Sequence, residues 1–407
     1  MISIGLYHRL HRSLTLAVVM GMACGSLRAD SAADQAKVVA ADTTFGFRLL
    51  RELVQQGRGK NVFISPYSIS TVLQMVGNGA AGQTREELAQ GLGTGGLSTS
   101  GLNQAVQALD GSIRRAGTNV TLTIANSIWY SVDINVRPQF IAVNREFFGA
   151  AIESADFTDP RTAGVVNRWA DQQTQGRIRQ VFQGRLPSDT RMILANAIYF
   201  KGNWERKFDA RLTEPQTFHL TERREQAVPM MQQGGTFDYC ESKTFQAVRL
   251  PYQGGRLAMY VLLPEGHTGM KLLTTLNAQT WQEQVLATLK KREGSVSLPR
   301  FKLEYGAELK KALQAMGIRQ AFQNNADFSG MAAAPLCVGS VIHKSFVEVN
   351  EAGTEAAAVT AAQMRLTSVR PTAPPFRMVV DRPFLFVIGD LSTKAILFSG
   401  IITNPAT

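Results

Sequence analysis

Nucleophilic, acid–base and metal chemistry would fall to five histidines and three cysteines in this chain of 407 residues. His8 and His11 lie in an amino-terminal stretch with the character of an export leader. His219, His267 and His343 remain, far apart and without metal-ligand spacing. HExxH, CxxC and GxSxG do not occur, so the local signatures of a zinc hydrolase, a dithiol redox centre and a nucleophile elbow are missing. Gly91, Gly93 and Gly96 fit GxGxxG by spacing. They follow the helical-looking REELAQ rather than a strand, and no helix pattern opens after them, so the match is read as chance. The expectation is a chain that is not an enzyme, with no catalytic residues, no metal and no cofactor. Cys240 and Cys337 do not make a disulfide framework, and paired and free states stay open.

A different chemistry is offered by residues 349–376, VNEAGTEAAAVTAAQMRLTSVRPTAPPF. The segment is too bland for an active site and too apolar for a solvated linker. Side chains of a strand alternate between faces. Counting from Thr354, one face receives Thr354, Ala356, Ala358, Thr360, Ala362 and Met364, none of them charged. The other receives Glu355, Ala357, Val359, Ala361, Gln363 and Arg365, and so carries every charge of the stretch. Such a segment can slide beneath covering helices as a strand while its charges stay wet. Alanine is also a good helix former, so a mobile loop or short helix is the competing reading.

The elements that must receive it are legible as periodic runs. Residues 34–56 read as an amphipathic helix. Residues 61–80 begin as a strand, break at Ser65-Pro66 and resume as a helix, with proline in the first turn where its missing N–H is harmless. Thr84 and Glu87 form a candidate capping box, and the glycine-dense 91–101 reads as a loop between helices. Strand patterns cover 120–130, 191–204, 247–252 and 257–264, with helical stretches at 161–175 and 305–316. The last third is strand-rich, over 295–305, 338–351, 377–390 and 395–405. Helices first and long strands later predict an α+β unit rather than a doubly wound sheet.

At 44% hydrophobic and 18% charged the chain is ordinary for a folded protein. Arg9 and Arg12, an apolar run over 14–24 and small residues to Ala29 have the order of a secretory signal, residues 1–29, with cleavage expected near Ala23 or Ala29. The location implied is secreted, extracellular or periplasmic. Cys24 after Gly21-Met22-Ala23 resembles a bacterial lipidation site without its leucine, which leaves a lipid anchor as the alternative. The run is too short to span a bilayer, and no transmembrane segment is expected. Loss of three arginines with the leader takes the formal charge from +11 to +8. No block of five or six like charges appears, so no nucleic-acid partner is expected and polyanion binding stays unproven. Asn119-Val120-Thr121 is a glycosylation sequon.

Five motifs in order carry a family likeness: NVFISPYSIS (61–70), LANAIYFKGNWERKF (194–208), ADFSGM (326–331), VIHKSFVEVNEAGTEAAA (341–358) and DRPFLFVI (381–388). With them the chain resembles the serpins over a single domain, 34–407. The resemblance implies three β-sheets, about nine helices and an exposed reactive-centre loop, about 353–376, that can enter the largest sheet. It also implies a monomeric suicide substrate for a serine protease. Counting Gly353 as the fifteenth residue before the cut puts the reactive bond between Thr367 and Ser368. That implies an elastase-like or small-pocket target, with Leu366 (chymotrypsin-like) and Arg365 (trypsin-like) as register alternatives. The likeness assigns a hinge to Glu351, Gly353, Thr354, Glu355, Ala356, Ala357 and Ala358. It assigns a shutter to Ser65, Pro66, Ser68, Asn196 and His343, and a breach to Trp204, Arg300 and Glu351. A non-inhibitory serpin (chaperone, carrier or structural protein) and an inhibitor of a cysteine protease are the alternatives.

Overall fold

The structure, a computed structural model, describes residues 7–57, 59–115, 120–266, 272, 275–354 and 374–406. Its helices gather in the first half: α1 (Tyr7–Gly57), α2 (Pro66–Gly77), α3 (Gly82–Leu92), α4 (Thr99–Arg114), α5 (Pro138–Phe148) and α6 (Thr162–Gln173). Two short ones, Ala278–Thr280 and Lys310–Ala315, make eight α-helices among the described residues. The amphipathic helix expected from residue 34 is continuous with the leader segment in α1, and no described helix is long and apolar enough to cross a membrane. Ser65 ends β1 (Val62–Ile64) and caps α2, its hydroxyl accepting from the Ser68 N–H, with Pro66 at the first helical position.

A six-stranded sheet runs in the order β10 (Phe301–Glu308), β11 (Ser340–Asn350), β12 (Gly353–Thr354), β4 (Met192–Asn203), β2 (Val120–Ser131) and β3 (Ala151–Ala155). A nine-stranded sheet holds β1, β15 (Ile396–Ile402), β14 (Phe384–Asp390), β8 (Leu257–Pro264), β7 (Phe245–Pro251), β6 (Arg224–Glu241), β9 (Lys290–Pro299) and β13 (Phe376–Val379), with β5 (Glu214–Thr221) paired to β6. The likeness implies three sheets; the described residues form two, with a β5–β6–β9–β13 wing joined to the larger one. The wing is continuous with the rest because β6, 18 residues long, pairs β5 over Arg224–Met230, β9 over Met230–Tyr239 and β7 over Asp238–Glu241.

Between the sheets, Ile69, Val72 and Leu73 of α2 pack with α1 residues Leu49 and Leu53, with Leu194 of β4 and with Val387 and Ile401 of the nine-stranded sheet. On the other face of β4, Ile193, Ala195 and Ala197 meet Val166 and Ala170 of α6. β4 is therefore covered on both sides, which is why residues 192–200 are buried without a break and read as a continuous apolar run.

Several local expectations give way to tertiary contacts. Thr84 and Glu87 make no capping box; α3 begins after Ala81, which provides no side-chain cap. Thr84 Oγ1 instead accepts from the Asp327 N–H at 2.9 Å, and Glu87 accepts from the N–H groups of Arg319 and Gln320. The single strand read over 295–305 is two, β9 and β10, in different sheets, separated at Arg300. The helix read over 305–316 is confined to Lys310–Ala315, because residues 301–308 pair with β11 through to Glu308 and Ile342. The run 377–390 likewise divides into β13 and β14 around Pro383.

Candidate functional site: a partly filled gap between two strands

Strands β4 and β11 pair parallel from Ile193 with Ser340 up to Tyr199 with Phe346. Above that point they part, and β12 enters between them. Gly353 and Thr354 pair with Asn203 and Gly202 of β4 on one side and with Asn350 and Val349 of β11 on the other. The chain reverses between β11 and β12 because the Asn350 side chain accepts from the N–H groups of Ala352 (3.0 Å) and Gly353 (3.3 Å). A Cβ at Gly353 would lie 2.1 Å from the Gly202 carbonyl oxygen, so only glycine lets the strand enter this closely.

Thr354 is fully buried, on the face its parity assigns, and its hydroxyl meets the Tyr252 hydroxyl at 2.7 Å. Burial pushes the Tyr252 phenol well up, so it stays a neutral partner. Tyr252 stacks on Trp204 at 4.6 Å between centroids. Trp204 Nε1–H donates to the Asn350 carbonyl at 2.9 Å, and its backbone N–H donates to the Ala352 carbonyl at 3.0 Å. The Phe208 N–H donates to the Glu351 carbonyl at 2.9 Å. The Glu351 carboxylate accepts from Arg300 and from Thr213 Oγ1. Against partial burial, those bonds hold its pKa below the ordinary glutamate value.

Lower down, where β4 and β11 are paired, a polar cluster is buried between the strands and α2. His343 is fully buried on β11 and meets Asn196 of β4 at 2.5 Å through Nδ1. The Ser65 N–H donates to its Nε2 at 3.3 Å, so Nε2 is the acceptor and Nδ1 carries the proton. Burial drives the imidazole pKa down to about 3, and the ring is neutral. The Asn196 amide donates to Ser68 Oγ and to Asn126 Oδ1, Ser68 Oγ donates to Asn126 Oδ1 at 3.3 Å, and Ser65 Oγ donates to the Leu397 carbonyl at 2.6 Å. The cluster ties α2 to β2, β4, β11 and β15. Pro66, in its midst, abuts Gly46 of α1 so closely that a Cβ there would lie 2.5 Å from the proline ring.

The residues assigned from sequence thus fall into two groups. Ser65, Pro66, Ser68, Asn196 and His343 lie at the centre of the six-stranded sheet, and Trp204, Arg300, Glu351, Gly353 and Thr354 at its open end. Glu355, Ala356, Ala357, Ala358, Arg365, Leu366, Thr367 and Ser368 lie outside the described residues, as does Asn119. Sequence reasoning missed Asn126, Asn350 and Tyr252. Asn126 opposes Asn196 across β2 and β4, and polar residues inside two apolar strands were the available signal. His219 is on β5 beside Glu225, remote in the fold from His343, and His267 is outside the described residues. Cys240 and Cys337 are free, and burial raises both thiols.

Residues 40–405 match the family model described as serpin (serine protease inhibitor). The leukocyte elastase inhibitor of Bos taurus is 36% identical over 380 residues, covering 90% of this chain and 99% of the relative. Serpin B6 of Macaca fascicularis is 36% identical over 376 residues, covering 90% and 98%. Among solved structures, human thyroxine-binding globulin superposes with a TM-score of 0.84 at 26% identity, covering 91% of this chain and 99% of that one. A serpin of the insect Tenebrio molitor gives a TM-score of 0.81 at 28% identity, covering 90% and 98%. A gap between β4 and β11 partly filled by Gly353–Thr354, a buried polar cluster below it and similarity across nine-tenths of the chain lead to one conclusion: this chain belongs to the serpin family.

Proposed function

We propose that the chain is an irreversible suicide-substrate inhibitor of a serine endopeptidase, and not itself an enzyme. The observation that carries this reading is the position of Gly353–Thr354, already hydrogen-bonded between β4 and β11 with Thr354 on the buried face. Residues that follow with small side chains at the same parity can extend that strand downward. A further strand of about 14 residues would close ladder bonds on both sides, worth on the order of 10 kcal/mol at about 1 kcal/mol each. The intact form is then held by kinetics rather than by depth of its minimum.

In this mechanism the protease attacks the reactive bond and becomes acylated on the loop. Insertion carries it roughly 45 Å, at about 3.3 Å per residue, before water can release it. The bond we favour is Thr367–Ser368, with Leu366 and Arg365 as the neighbouring registers. Threonine at the cut, together with relatives named leukocyte elastase inhibitor, favours a small-pocket or elastase-like target. The leader-like residues 1–29 favour action outside the cytoplasm, by a one-to-one encounter.

Incubation with a panel of serine proteases tests the reading. A complex stable in boiling detergent, with mass spectrometry placing the cut after Thr367, is the expected result. Quantitative loop cleavage with no complex would replace it with a non-inhibitory role. Thr354→Arg, which puts a charge on the buried face, is expected to convert inhibitor to substrate.

A further inference from the structure

Where the chain leaves β4, residues 204–208 cross over β6, β7 and β9 and roof a cavity of about 370 Å3. That volume falls within the usual range for small-molecule sites. The cavity wall is aromatic and aliphatic at the back, through Trp204, Phe208, Phe237 and Leu250, all buried. Charge is gathered at the mouth, where Glu205 and Asp238 stand against Arg206, Arg249 and Lys291, one positive charge in excess. Asp238 is the shared partner of two cations, Arg249 at 2.6 Å and Lys291 at 3.2 Å. Arg206, the third cation, lies over the Phe237 ring at 4.5 Å and donates to Gln233 Oε1 at 2.9 Å. Among the described residues no carboxylate lies within ion-pair distance of it. As a residue Arg206 is exposed, while its head group is partly desolvated, which lowers its pKa.

The position of Arg206 is built into the backbone. Gly235, on β6, has φ of +143°, and a Cβ there would lie 2.2 Å from Arg206 Nη1. The glycine thus leaves the space the guanidinium occupies. A guanidinium set over an aromatic ring, with one N–H bonded to Gln233 and no carboxylate partner among the described residues, is suited to grip a carboxylate or sulfonate. The aromatic back wall beside it is suited to a ring.

We propose that this cavity binds a small organic anion bearing a flat aromatic group, with Arg206 gripping the anionic group and the ring lying in the cavity against the edges of Trp204, Phe208 and Phe237 and beside Leu250 and Pro251. The same segment holds the loop: the backbone of Trp204 bonds to Ala352 and that of Phe208 to Glu351. A bound ligand therefore sits against the seat of the hinge. The site does not depend on protease inhibition, and its test uses no protease.

The experiment titrates the full intact chain with anilinonaphthalene sulfonate and, separately, with its uncharged counterpart phenylnaphthylamine, following fluorescence and heat. One sulfonate dye per chain is expected. Arg206→Gln is expected to weaken it about tenfold or more, as for loss of a charge-assisted bond. Lys291→Gln, at the exposed rim, should weaken it less, and the uncharged dye should bind at least tenfold more weakly. Inorganic sulfate should not displace the dye. Equal affinity of the two dyes, unchanged binding in both variants, several dyes per chain, or displacement by sulfate alone would each overturn the proposal. Because the dye comparison uses the unaltered protein, it decides the matter even where a variant fails to fold.

Discussion

The middle and the open end of the β4–β11 seam are made of the same two strands and behave as opposites. In the middle, the strands pair directly, and Asn196, His343, Ser68, Asn126 and Ser65 satisfy one another in a buried site. At the end, the strands have parted, and two residues of a third strand fill the gap with a threonine–tyrosine contact and a rim of ion-paired side chains. Opening the middle strands buried polar groups, each worth about 1–3 kcal/mol when unpaired. Extending the end adds ladder bonds and breaks little. For the loop insertion we propose, the open end is the unhindered starting point and the middle sets the timing.

The sharpest break in that contrast is Asn196→Ala. It leaves His343 Nδ1–H and the oxygens of Ser68 and Asn126 without their shared partner. We expect a loss on the order of 3–5 kcal/mol in the intact form, read as a large drop in its thermal midpoint, and faster spontaneous insertion.

Acid tests the same cluster. An unfolded histidine titrates near 6.5, whereas His343 in the fold stays neutral down to about 3. Between those values the unfolded chain holds the extra proton, so intact-form stability falls as pH drops, by at most about 1.4 kcal/mol per pH unit. Asp42 opposes this. Burial raises its pKa to about 7, so between pH 7 and its ordinary value near 3.8 the folded chain holds the extra proton. Stability from that group rises as pH falls. The two slopes oppose each other between pH 6 and 4.5, so the thermal midpoint of the unaltered chain is expected to fall less steeply there than that of Asp42→Asn. Asp42→Asn should uncover the histidine slope and give a midpoint that falls across the same interval.

At the open end the effects shrink. Tyr252→Phe leaves the buried Thr354 hydroxyl unpaired and should destabilise the intact form by about 1–2 kcal/mol. It should also make the hinge more accessible to hydrogen exchange at Thr354. Arg300→Gln removes one partner of Glu351 from a half-exposed pair, and its effect should be within about 1 kcal/mol. Were Arg300→Gln to rival Asn196→Ala in thermal midpoint, the division between latch and open end would collapse.

Much of this was readable because the signals are local. Ser65-Pro66 announces the end of a strand and the start of a helix, and the unbroken apolar run of β4 announces a strand covered on both faces. The parity of Thr354 predicted its buried side. Other features had no local signal. Thr84 and Glu87 have the spacing of a capping box, but the backbone N–H groups they satisfy belong to residues 319, 320 and 327. Tyr252 looks like any strand-end tyrosine until Trp204 and Thr354 are brought against it.

By itself the sequence determined several of the elements, among them the helix after Pro66 and the strands β2, β4 and β8, and which faces of the late alanine-rich run are fit for burial. Both follow from side-chain type and a period of two or 3.6 residues. Only the tertiary structure decided that Gly353 and Thr354 already stand between β4 and β11, and that Asn126 completes the latch. It alone also set Arg206 over Phe237 beside Gly235. Each of these depends on atoms dozens to hundreds of residues apart meeting at hydrogen-bond or van der Waals distance, and a meeting of that kind leaves no period in the chain.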